Sequence, residues 1–151
     1  MTAATVQTKS ARKLSFSRVL LAGGIAIGGS IIANLIIRWL GLLVLPVDPS
    51  FMPLATWQPA VIFTVMFLVL ATIVFLIINA FAANPARVFT IVATVALVLS
   101  LIPDVMLLIN PAAMPMGTPT LGAVTILIFQ HIVSYLITLW AFTRWAFTRQ
   151  A

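Results

Sequence analysis

The chain has 151 residues, of which 63% are hydrophobic and 7% charged, with a mean hydropathy of +1.23. A soluble domain is about 25% charged, so these proportions exclude an ordinary water-soluble fold and make lipid the solvent of most of the chain. There are no cysteines, which removes disulfides, thiolate metal sites and cysteine nucleophiles; the net charge of +6 is scattered at segment ends, a distribution that suits anionic lipid headgroups and not nucleic acid.

The first 17 residues are basic and rich in serine and threonine, and read as a flexible cytoplasmic segment. A cleaved signal peptide is the competing reading, because Lys9, Arg12, Lys13 and Arg18 precede an apolar run; that run is longer than a signal-peptide core, and no cleavage site closes it. Four apolar stretches follow, at about 19–37 (extending toward 45), 60–81, 88–109 and 121–142. Each has the roughly 20 residues that a helix needs to cross a bilayer. Backbone groups in lipid need internal partners, which makes each stretch a helix. The expectation is an all-α, polytopic membrane protein: one four-helix domain over residues 18–144, then a short basic tail at 145–151.

The first span is LLAGGIAIGGSIIANLI. It holds a Gly24/Gly28 pair at GxxxG spacing and a second stripe of Ala22, Ala26, Ser30 and Asn34. Small residues let helix backbones approach closely, either within the bundle or between two copies of the chain. Arg38 marks the outer end of this span. The loop 40–58, with Phe51, Met52 and Leu54, is expected to lie on the bilayer surface or to cap the bundle.

The third span is interrupted by Pro103-Asp104. Asp104 and Asp48 are the only acidic residues. Proline removes a helix bond to the carbonyl of Leu99, so the helix is expected to end or kink there. Asp104 then sits at the outer interface, pairs with Arg38 at matching depth, or serves as a proton or ion site. The loop after it, NPAAMPMGTPT, contains Met114 and Met116; thioethers suit Cu(I) but also serve as apolar filler, and no metal or other cofactor is assigned.

The fourth span carries the only histidine, His131, near mid-membrane. Ser134, Tyr135 and Thr138 follow at i+3, i+4 and i+7 on its face, with Gln130 on the adjacent one. Two readings stand open: a neutral imidazole bonded across helices, with Thr72 as its partner, or a proton-relay or ligand site. The span closes on a tandem WAFTR WAFTR repeat, read as an interfacial anchor with tryptophan at the headgroups and arginine on phosphates.

Orientation follows from the cations. With the N-terminus inside, Lys9, Arg12, Lys13, Arg18, Arg87, Arg144 and Arg149 are cytoplasmic and Arg38 alone is outside, so both termini are expected inside a bacterial cytoplasmic membrane. The four tryptophans fall at the two interfaces, and of the nine prolines only Pro85 falls on the inner side.

The third and fourth spans together, RVFTIVATVALVLSLIP and FQHIVSYLITLWAFTR, resemble a family of small bacterial four-helix membrane proteins described only as a domain of unknown function. Its members tend to open the third helix with a basic residue, place a Ser-Leu-x-x-Pro near its end (one residue shorter here, Ser100 to Pro103), and carry a histidine followed by small apolar residues and a terminal arginine in the fourth. Arg87, Ser100, Leu101, Pro103, His131 and Arg144 match that outline. The resemblance implies the four-helix architecture and brings no activity.

No phosphate-binding loop, paired carboxylates or histidine cluster is present, so no enzyme activity is expected. Two functions remain: a scaffold or accessory subunit, self-associating or part of a larger membrane complex in anionic lipid, or a small transporter or ligand-binding protein using His131, Tyr135 and Asp104. The second gains if His131 and Asp104 both face a hydrated cavity between helices, the first if His131 packs in a dry contact and Asp104 meets Arg38 or water; the spacing along the spans puts Asp104 and His131 at different depths, which counts against a catalytic site.

Overall fold

A computed structural model describes residues 13–113 and 115–146. Lys9, Arg12, Met114 and Arg149, which enter the sequence reading, lie outside the described residues. Among the described residues all regular structure is helical. Four long helices carry the spans: α1 (Phe16–Val44), α3 (Gln58–Phe81), α4 (Pro85–Ile109) and α5 (Leu121–Leu139), with a four-residue helix α2 (Met52–Ala55) between the first two. At 29 residues α1 is about 43 Å long at 1.5 Å per residue, more than enough for a hydrocarbon core of about 30 Å.

Helix ends are set by residues suited to them. Pro59 and Pro85 occupy first turns of α3 and α4, where a missing N–H costs nothing. The side chain of Asn84 accepts from the Arg87 amide at 3.2 Å, and Thr120 Oγ1 accepts from the Ala123 amide at 3.1 Å at the start of α5. α4 does not end at Pro103. It continues unbroken to Ile109, in keeping with the expected span 88–109, so of the two expectations at Pro103, an ending or a kink, the ending is not realised: in lipid, a backbone that leaves the helix finds no water to bond, and one missing bond costs less than a broken end. α5 passes into a π-helical segment, Trp140–Trp145, in which the Ala146 amide donates to the Ala141 carbonyl five residues back. The wider turn keeps Ala141 and Phe142 buried while Trp140 stays half exposed.

The helices run up and down, with α1 packed against both α3 and α5, and α4 lying chiefly on α5. Their spatial order is therefore α3, α1, α5, α4, and α4 is the least embedded span. Between Phe89 and Asp104 it has no fully buried residue. Two apolar clusters close the ends. At the end where the described residues begin and finish, at Lys13 and Ala146, Val19, Ala22, Ala26 and Leu68 pack with a triad of rings, Phe75, Phe89 and Phe142, whose centroids lie 4.7–5.2 Å apart. There Asn79 also ties down the residues before α1, accepting from the Leu14 amide at 3.0 Å and donating to its carbonyl at 2.9 Å. At the opposite end Phe51, Leu54, Leu107, Ala123, Val124 and Ile126 form the second cluster.

Phe51 and Leu54 are essentially inaccessible, so the loop containing α2 caps the bundle. It interlocks with the α4–α5 loop: the Met52 amide donates to the Met116 carbonyl at 2.9 Å, and Thr120 Oγ1 donates to the Pro46 carbonyl at 2.6 Å. Gly117 has φ +90° and lies against the Ser50 carbonyl, where a Cβ would collide with backbone, so glycine is required there for both conformation and space.

The two small-residue stripes of α1 separate. Ala22, Ala26, Ser30 and Asn34 are all buried within the bundle. Gly24 and Gly28 face outward, with open space where a Cβ would stand. The glycines that allow close packing inside the chain are others: Gly23 abuts Thr72 and Gly41 abuts Ile126.

Candidate functional site

Between the two apolar clusters lies a polar layer organised by α5, whose successive residues face different neighbours. Gln130 and Ser134, four apart, face α1. Asn34 Nδ2 donates to Ser134 Oγ at 3.0 Å and to Thr64 Oγ1 of α3 at 2.9 Å, Ser134 Oγ approaches Asn34 Oδ1 at 3.3 Å, and Gln130 Nε2 donates to the Asn34 carbonyl at 3.0 Å. Thr64 is also bonded to the Ala60 carbonyl at 2.6 Å. Asn34, Thr64 and Gln130 are buried, and each side chain is bonded, as polar groups in a dry interior require.

His131 and Tyr135, also four apart, face α4. His131 Nε2 lies 3.2 Å from Asp104 Oδ2, and the Tyr135 hydroxyl lies 2.7 Å from Thr94 Oγ1. Asp104 is 95% buried, its residue exposure being 5%, while the His131 side chain is 36% exposed. The separation is that of an ion pair, yet no aligned hydrogen bond forms, and Oδ2 is a buried oxygen without a donor. A second buried acceptor of this kind is absent from the Asn34 network.

Three expectations are corrected by this geometry. Asp104 and His131 share one depth, because α4 continues past Pro103 and carries the carboxylate into the seam with α5. Asp104 does not pair with Arg38: the Arg38 guanidinium instead donates to the carbonyls of Leu54, at 2.7 and 3.1 Å, and Ala55, at 3.2 Å, neutralising the exposed carbonyl end of α2. Thr72 is not the partner of His131; its hydroxyl donates to the Leu68 carbonyl at 2.7 Å.

The four residues expected on one face of the fourth span divide. His131 and Tyr135 look toward α4, whereas Ser134 looks toward Asn34, and the Thr138 hydroxyl bonds back to the Ser134 carbonyl at 2.7 Å. Thr64 and Thr94 were missing from the sequence reading. Thr64 could have been found, since Thr64, Leu68, Thr72, Phe75 and Asn79 form one helical stripe and are the buried residues of α3. Thr94 carries no such signal on an exposed stretch of α4.

Asp48, the other carboxylate, lies outside the spans. It accepts from the Ser50 hydroxyl at 2.6 Å and the Ser50 amide at 2.8 Å, and these bonds to its charged form hold its carboxyl below the usual range. It stabilises a turn. Among the described residues no group of three or more histidine and acidic residues converges on one point, so Asp104 and His131 offer a two-residue site. No family model, no curated protein and no solved structure matches this chain.

Proposed function

We propose that this is a small non-enzymatic protein of the bacterial cytoplasmic membrane, with both termini cytoplasmic, whose working element is a proton-linked carboxylate–imidazole pair, Asp104–His131. The single observation behind this reading is the 3.2 Å approach of His131 Nε2 to a buried Asp104 oxygen that lacks a hydrogen bond. Ionisable groups within a membrane are costly and are retained where they carry ions, protons or ligands. A proton taken up or released by this pair would change the charge of the α4–α5 seam by a full unit where little water screens it. Tyr135 is the remaining titratable side chain facing this seam; α1 and α3 present no charged group to it, Arg38 being engaged on α2. The least embedded helix, α4, is the element such a change would move. The bias of lysine and arginine supports the orientation, and the match of Arg87, Ser100, Leu101, Pro103, His131 and Arg144 supports kinship with the bacterial four-helix family of unknown function.

The absence of cysteine makes a direct test clean. Spin labels at Val98→Cys and Leu136→Cys, both exposed positions, report the α4–α5 separation in liposomes. The distance distribution should differ between acid and neutral pH. Asp104→Asn and His131→Gln should each abolish the shift; an unchanged distribution in the parent protein would refute the reading.

A second reading, a self-associating scaffold or accessory subunit, is favoured by the bare outward face at Gly24 and Gly28, which nothing among the described residues covers. Oligomeric state in mild detergent distinguishes it: a strictly monomeric protein removes it.

A further inference from the structure

The end of the bundle at which α1 begins contains an orphan cation. Among the described residues Arg18, in the first turn of α1, has no hydrogen-bond or ion-pair partner, and its Nη1 is buried without an acceptor. The other described cations at this end are occupied or exposed: Lys13 Nζ donates to the Ala80 carbonyl, and Arg87 and Arg144 are exposed. Arg18 lines a depression of about 190 Å³ together with Leu21, Trp145 and Ala146, so an apolar wall stands beside the guanidinium. The side-chain carboxylates of the chain cannot reach it, because Asp48 and Asp104 both belong to the opposite half of the bundle. Among the described residues nothing supplies a counter-ion for Arg18, which leaves its guanidinium able to take one from outside the chain.

We propose that Arg18 and this depression bind the phosphate of an anionic phospholipid in the leaflet at this end of the bundle. The position fits. Arg18 opens the span, at the level of the headgroups, and a guanidinium presents a planar fork that matches two phosphate oxygens. Leu21 and Ala146 supply apolar surface for the glycerol and upper acyl chain, and Trp145 stands at the depth that tryptophan favours in bilayers. Charge selects the headgroup. A zwitterionic lipid would bring its ammonium into a patch holding Lys13, Arg18, Arg87 and Arg144 and no acidic side chain, whereas a glycerol headgroup brings no cation.

Native mass spectrometry of the full chain in mild detergent tests this, with phosphatidylglycerol, phosphatidylcholine or inorganic phosphate added. Phosphatidylglycerol should be retained as one tight adduct, at least tenfold more strongly than phosphatidylcholine, and inorganic phosphate should not displace it. Arg18→Gln should lose that preference, Arg18→Lys should weaken it severalfold through loss of the fork, and Arg144→Gln, at the same end but exposed, should keep it. Equal retention of the two lipids by the parent protein overturns the proposal whether or not any variant folds. So does displacement by inorganic phosphate, which would make a soluble anion the ligand, or full preference in both Arg18 variants.

Discussion

Two polar clusters lie side by side on α5, offset by a single residue, and they differ in completeness. On one side Gln130 and Ser134 meet Asn34 and Thr64, in a network where each side chain is bonded. On the other, His131 meets Asp104, and a buried carboxylate oxygen is left without a donor. The first joins the three best-packed helices; the second joins α5 to the least embedded one. A saturated network fixes the relative positions of helices, because any displacement breaks bonds that lipid cannot replace. An unsaturated ionisable pair has capacity to accept a proton or ligand, and it lies where movement disrupts little packing. On the proposed reading the contrast leaves structure to Asn34 and response to Asp104–His131.

The sharpest way to break that contrast is to remove one half of the pair. His131→Leu strands a buried carboxylate and should cost roughly 3 kcal/mol of unfolding free energy, whereas the double variant Asp104→Leu/His131→Leu should fall within about 1 kcal/mol of the parent, since apolar replacements of both charges are often neutral or stabilising. Reversible unfolding in mixed micelles measures both; equal losses would show the pair to be a structural bond. Next in size is Asn34→Ala, which removes its contacts with Thr64 and Ser134 and should cost about 2 kcal/mol, interhelical polar bonds in membranes contributing about 0.6–2 kcal/mol each. Its effect on the pH response of the α4–α5 distance should be small, and loss of that response would merge the two clusters into one device. The smallest effect on stability is expected for Gly28→Leu. With open space at its Cβ position, it should leave monomer stability within about 0.5 kcal/mol; a shift from oligomer to monomer on a sizing column would place Gly28 at a contact between copies.

Much of this was written in local chemistry. Arg38 shows the limit: its level at the end of the first span suggested a carboxylate partner, but the loop folds α2 beneath it and offers carbonyls instead. Pro103 shows another. Its ring argues locally for an ending, yet the solvent makes continuation cheaper, and six further residues of helix follow it to Ile109. That continuation carries Asp104 to His131. The small-residue stripes of α1 were legible as two, but which of them faced the bundle was not, since Ala22/Ala26 and Gly24/Gly28 are equally able to accept a neighbouring backbone.

By itself the sequence determined the solvent, the four helical spans and the gathering of cations at one end, because transfer free energy and backbone hydrogen bonding act on each segment separately and need no knowledge of neighbours. The tertiary structure alone decided which polar groups meet. A helix displays its side chains all around its axis, and only the packing order α3, α1, α5, α4 turned Ser134 toward Asn34 and His131 toward Asp104.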